Sequence, residues 1–274
     1  MRLLEQPMEH CASALEPLFP CLCGWMSCCD SRVVWRADDD NDTPDAIALT
    51  IDDVPRKGMR VSDVLELMLL LRQRRARVTF FVFFDRLNPK PDDPPEVHLM
   101  VNTFIDHVKI DGHEIGLHFP GRWGNQMSAI ELKWRVEKSL QIAQRRYNLP
   151  IRHVRMPGGF STPAQVSLLE AYDLTTVNGT AYPGDADVCQ CLSAAALGRF
   201  AARLATRDGR IAILHDDNRL IAKLASFLRH LQAQGRHSVT LSELLGPKRV
   251  SAETVMDREA ETRTGSLSPI FLPF

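Results

Sequence analysis

No stretch of this sequence reaches the roughly 18 consecutive apolar residues that a membrane-spanning helix requires. Residues 1–30 carry a single Lys or Arg, Arg2, against acids at Glu5, Glu9 and Glu16, so a secretory signal is not expected and a cytoplasmic location follows. Net charge is nearly missing too. With 33 basic and 34 acidic residues the formal charge is -1, which gives no basic face for nucleic acid. A glycine-rich GxGxxG or P-loop after the first apolar strand is absent, which disfavours a nucleotide-binding fold. The seven cysteines are odd in number and contain no CxxC spacing, so neither a disulfide framework nor a structural zinc site is expected. Five of them (Cys11, Cys21, Cys23, Cys28 and Cys29) fall in the first thirty residues and read as reduced thiols in a leader.

What is present is an ordinary globular composition, 45% hydrophobic and 24% charged over 274 residues, enough for one large α/β domain with a sizeable core. Residues 1–45 show no sustained period and end in the acidic run 38–42, so they read as a poorly ordered N-terminal extension. Residues 46–246 alternate apolar or β-branched runs with amphipathic stretches, whereas 247–274 read as a peripheral tail. Strands are expected over 46–51, 78–84, 113–118, 151–155, 174–177, 211–215 and 238–241. In the helix expected over 129–147, Ile130, Trp134, Val136, Leu140 and Ala143 approximate one apolar face. Strands alternating with helices predict βα repeats and a parallel sheet.

The stretch AIALTIDDVP, Ala46 to Pro55, is an apolar run that ends in two adjacent carboxylates. Neighbouring strand residues point to opposite sides, so Asp52 and Asp53 at a strand end can divide two roles, one toward a metal and one toward a proton. By itself the pair followed by Pro55 and Gly58 is also ordinary turn chemistry. Other strand ends carry His118, Arg155 and His215, and a loop carries Asp185. In a closed or nearly closed βα barrel all such ends face one mouth, which makes these residues a candidate site.

Four motifs in order carry a resemblance to a known family. They are Thr50-Ile51-Asp52-Asp53, Gly112-His113-Glu114-Ile115-Gly116-Leu117-His118, Arg155-x-Pro157-Gly158 and Ile211-x-Ile213-x-His215. Over residues 46 to 245 the chain resembles the polysaccharide deacetylase (NodB homology) domain of carbohydrate esterase family 4. The resemblance implies a distorted (β/α) barrel of about seven parallel strands. It also implies a metal-dependent hydrolase that removes the N-acetyl group from N-acetylated sugars of the chitin type.

By the same resemblance Asp52 is the general base, His215 the general acid, and Asp53 and His118 hold a divalent metal, usually zinc. Arg155 orients Asp52, Asp185 holds Arg155, and the Pro157-Gly158 turn offers a backbone N–H to the oxyanion. The sequence departs from the family at one place: Arg122 stands where a histidine supplies the third metal ligand, and guanidinium cannot ligate zinc. His113, Asp185 and Asp216 are the nearest side chains able to fill in, with His113 at the wrong end of its strand. Two alternatives therefore stand beside the deacetylase: a hydrolase of small linear or cyclic amides, and a non-catalytic glycan-binding domain. The oligomeric state is not legible.

Overall fold

The computed structural model describes residues 30–37, 43–186, 192–207 and 210–246. All seven cysteines and the tail 247–274 lie outside the described residues.

Seven strands form one sheet: β1 (Ala46–Val54), β2 (Thr79–Phe83), β3 (Glu114–His118), β4 (His153–Arg155), β5 (Thr175–Thr176), β6 (Ile211–His215) and β7 (His237–Val239). Their order is β5-β4-β3-β2-β1-β6, with β7 paired to the start of β1, and every pairing is parallel. The sheet curls nearly shut. Beyond β5 the chain crosses to β6, where the N–H of Ala181 donates to the carbonyl of Ile211 and that of Ile213 to the carbonyl of Ala181. Gly179 permits this crossing, since a Cβ there would meet the Ile211 carbonyl oxygen at 2.9 Å. The result is the distorted (β/α) barrel that the sequence predicts.

β1 is the strand with most neighbours, and Ala46 to Ile51 are all buried, as the unbroken apolar run requires. Among the described residues seven α-helices surround the barrel: α1 (Val61–Gln73), α2 (Pro95–Ile110), α3 (Ala129–Ile142), α4 (Pro163–Glu170), α5 (Ala194–Arg207), α6 (Leu220–Ala233) and α7 (Leu241–Leu245). Their starts follow local chemistry. The hydroxyls of Ser128, Thr162 and Thr240 each accept a backbone N–H in the first turn of α3, α4 and α7, and Pro163 opens α4 where no donor is needed. The Thr240 cap also ends β7 at Val239, two residues before the end read from sequence. Among the described residues no helix is long and apolar enough to cross a membrane.

The structure corrects two readings. In α3 the inward stripe is Leu132, Val136 and Ser139, continued by Ala143, while Ile130 is 85% and Trp134 54% exposed. A 4-3-4 spacing keeps one face of a helix, and residues 130 and 134 fall on the other side of it. The packed body also starts before residue 46. Val33 and Ala37 are buried, Val34 pairs with Val177, and Arg32 binds Asp30, Glu170 and the Ser167 hydroxyl.

Candidate active site

Strand register sets the site. Asp52 on β1 lies beside His215 on β6, and His118 on β3 lies beside both Phe83 on β2 and Arg155 on β4. These side chains therefore stand at one level of the barrel, at the C-terminal ends of five of its parallel strands.

Arg155 is almost wholly buried and anchors one side. One of its nitrogens, Nη1, donates to the Asp52 carboxylate and to the Thr50 hydroxyl, both at 2.6 Å, while Nε and Nη2 donate to the carbonyls of Val177 and Asn178. Its guanidinium also lies 4.2 Å from the centre of the Phe81 ring. Asp52, 3% exposed, thus has a fixed, charge-assisted partner. The resemblance implies a contact between these two residues.

Asp53 is different. Its side chain is 42% exposed and its backbone has φ 68°, left-handed for a non-glycine residue, at an irregularity where β1 loses register with β2. Arg86 braces this turn, donating to the carbonyls of Asp53 and Pro55 while packing 4.3 Å from the centre of the Phe83 ring. Burial pushes the Asp53 carboxyl up, but the contact and charge of His118, with the charges of His215 and Arg86, bring it below its ordinary value.

His118 stacks on Phe83 and its Nδ1 lies 2.7 Å from the Arg155 carbonyl. A carbonyl only accepts, so Nδ1 carries the proton and Nε2 is turned toward Asp53 Oδ1, 3.5 Å away. A lone pair and a carboxylate facing each other suit a metal ion between them.

On the far side of β1, Asp185 accepts from the backbone N–H of His215 and lies 2.9 Å from its Nδ1. Asp185 does not hold Arg155, as the resemblance implies. Its oxygens go to His215 and to Lys223, a fully buried lysine on α6. Burial pushes the Asp185 carboxyl up, yet His215 and Lys223 overcome this and hold it at about 2. Burial depresses the His215 imidazole, but the bond and charge of Asp185, with the charges of Asp52 and Asp53, raise it above the ordinary histidine value.

Lys223, Arg86 and Arg56 escape the sequence reading. Lys223 leaves one signal: it is a lone cation among Leu220, Leu224, Phe227 and Leu231 on the buried face of α6.

The donors do not make a complete metal shell. Asp53 and His118 aim at one point, but a zinc site takes three protein ligands and a water. Among the described residues there is no group of three or more His, Cys, Asp or Glu side chains able to hold a metal. Each stand-in is engaged elsewhere. Asp216 accepts from the backbone and guanidinium of Arg56, Asp185 belongs to His215, and His113 lies at the other end of β3 beside Val78. Arg122 is exposed, with its guanidinium 5.1 Å from the centre of the Trp123 ring. Its backbone packs on the Pro157–Gly159 turn: at Gly158, with φ 63°, a Cβ would meet the Arg122 carbonyl oxygen at 2.5 Å.

No family model and no curated protein sequence matches the chain. Solved structures do. A peptidoglycan N-acetylglucosamine deacetylase aligns over 80% of this chain and 94% of its own, with TM-score 0.63 and 16% identity. A CE4 family pseudoenzyme from Bacillus anthracis aligns over 81% of this chain and 72% of its own, with TM-score 0.61 and 18% identity. A family 4 acetyl xylan esterase from Clostridium thermocellum, in complex with a cobalt ion, aligns over 73% of this chain and 89% of its own, with TM-score 0.58 and 23% identity. The curled parallel barrel with its polar strand ends is thus the NodB-type fold of the CE4 polysaccharide deacetylases.

Proposed function

We propose that this chain is a hydrolase of the deacetylase type, which removes the acetyl group from an N-acetylated sugar. One observation carries the reading: Asp52 and His215 are neighbours across β1 and β6, and each has its own counter-charge, Arg155 for the carboxylate and Asp185 for the imidazole. That arrangement supplies a base and an acid at once. With an amide at the mouth, Asp52, paired with Arg155, takes a proton from the attacking water as the new C–O bond forms. His215, oriented by Asp185, gives its proton to the nitrogen as the C–N bond breaks, since an amine departs only when protonated. The Gly158 backbone N–H, in the turn beside Arg122, is the donor assigned to the oxygen where charge develops.

The similar peptidoglycan deacetylase acts on an N-acetylglucosamine unit, which supports an N-acetylated sugar as the substrate class. Among the described residues zinc or cobalt would rest on Asp53 and His118 alone. The substitution at Arg122 favours a second reading, a sugar-binding domain with little or no turnover, and a structural neighbour is itself a pseudoenzyme. Acetate release from chitooligosaccharides, measured with and without added zinc or cobalt and beside the metal content of the purified protein, separates the two. Acetate lost on Asp52→Asn supports the hydrolase. Oligosaccharide binding with no acetate under any metal condition supports the binding domain.

A further inference from the structure

Lys223 has no assigned part in the chemistry, yet it is a wholly buried cation beside the site. It is 0% exposed, and its ammonium reaches three acceptors: Asp185 Oδ2, the His215 carbonyl at 2.9 Å and Asp217 Oδ1 at 3.1 Å. An ion pair taken wholly out of water gives little net stability, so a buried Lys–Asp pair is weakly explained by folding alone. Its geometry points elsewhere. One Asp185 oxygen is held by Lys223, and through that pair the other is aimed at His215 Nδ1, while Lys223 also fixes the His215 backbone.

Resting on the proposed hydrolase, we infer that Lys223 is a positioning residue which locks the Asp185 carboxylate against His215 and offsets its charge, so that the imidazolium can still give up its proton. Asp185 alone would hold that proton too firmly. The charges around the imidazole come from four places: Asp52 and Asp53 on β1, Asp185 on the loop after β5, Asp216, Asp217 and Arg219 after β6, and Lys223 on α6. Among these, Lys223 is the cation that binds both Asp185 and the His215 backbone. Arg219 binds the Asp185 carbonyl and the outer oxygen of Asp217.

The sign of the effect separates this role from a structural one. Removing a positive charge within a few ångströms favours the imidazolium, so the His215 titration midpoint rises. The test is a histidine-ring NMR titration of the full chain as wild type, Lys223→Met and Lys223→Gln, with circular dichroism to confirm the fold. In a folded Lys223→Met the His215 midpoint is expected to rise by roughly one pH unit. Lys223→Gln, polar but uncharged and easier to bury, is expected to shift it the same way. A His215 midpoint that is unchanged or lower in whichever variant folds overturns the proposal. Acetate release is read in parallel: kcat falls and its alkaline limb moves up, while KM is kept. If the wild type releases no acetate, the hydrolase reading fails, and the NMR shift still decides the role of Lys223.

Discussion

Asp52 and His215 are register partners on adjacent parallel strands, and the backbone ties them again one residue on, where the N–H of Asp216 donates to the Asp52 carbonyl at 2.9 Å. The spacing of the two side chains is therefore set by a strand ladder and not by loops, which suits groups that must act on one bond.

The two carboxylates of β1 should separate by function. Asp52→Asn is expected to lower kcat by about 10²–10⁴, the usual contribution of a general base. It also removes the counter-charge of buried Arg155, at a cost on the order of 3 kcal/mol, read by chemical denaturation. Whatever zinc the protein retains should survive Asp52→Asn and be lost in Asp53→Asn, as measured by metal analysis. Equal metal loss in the two variants would refute the division of labour.

Because the bond and charge of Asp185, with the charges of Asp52 and Asp53, raise His215 above the ordinary histidine value, its proton leaves only as pH climbs through that raised value. The rate of acetate release should therefore have an alkaline limb above the range of a free histidine. His215→Asn should remove the limb together with most of the rate. A limb at or below the ordinary histidine range would contradict the assignment of His215 as the acid.

Arg122→His restores the imidazole that the family resemblance places there. Zinc affinity, measured by titration calorimetry, is expected to rise at least tenfold, the equivalent of about 1.4 kcal/mol. A mutant of the structurally similar pseudoenzyme has its enzymatic activity restored, so acetate release should be measured alongside. No gain in affinity would show that position 122 is not what limits the shell.

At the opposite end of the barrel Glu114 binds His153, the Thr79 hydroxyl, and the backbone and hydroxyl of Ser242. Burial pushes this carboxyl up, but His153 and Ser242 hold it at about 2. A lowered folded value means stability that is complete above the ordinary carboxylate range and lost as pH falls toward 2. Wild type should lose on the order of 3 kcal/mol across that window from this group, and Glu114→Gln should show a shallower acid transition. Parallel acid-unfolding curves for the two proteins would contradict it.

Gly158→Ala places a Cβ 2.5 Å from the Arg122 carbonyl oxygen and 2.9 Å from the Trp123 ring, at a positive φ. A cost of about 1–3 kcal/mol in thermal denaturation is expected, with a drop in kcat as the turn shifts. An unchanged melting temperature would mean that the turn yields without cost.

The barrel and most of the site are legible in the sequence for a physical reason. A strand buried on both faces must be an unbroken apolar run, so the polar residue that ends it is conspicuous, as at Asp52, His118 and His215. Pairings made by tertiary contact are not conspicuous. Asp185 and Lys223 meet across a loop and a helix 38 residues apart, and nothing local tells Asp185 to choose His215 over Arg155. The face of α3 is hard to read because Ile130 and Trp134 look like core residues by type, whereas the buried stripe is 132, 136, 139 and 143.

The pairing of Val34 with β5 has a consequence for how the molecule meets its own copies. β5 is two residues long and has β4 on one side. On the other, Val34 N–H donates to the Thr176 carbonyl at 2.9 Å and the Val34 carbonyl accepts from Asn178 N–H at 2.8 Å. Residues 30–37 thus act as a cover strip over a sheet margin whose bare amides would template another strand. A chain trimmed to begin at residue 43 should keep its barrel but associate with itself as its concentration is raised.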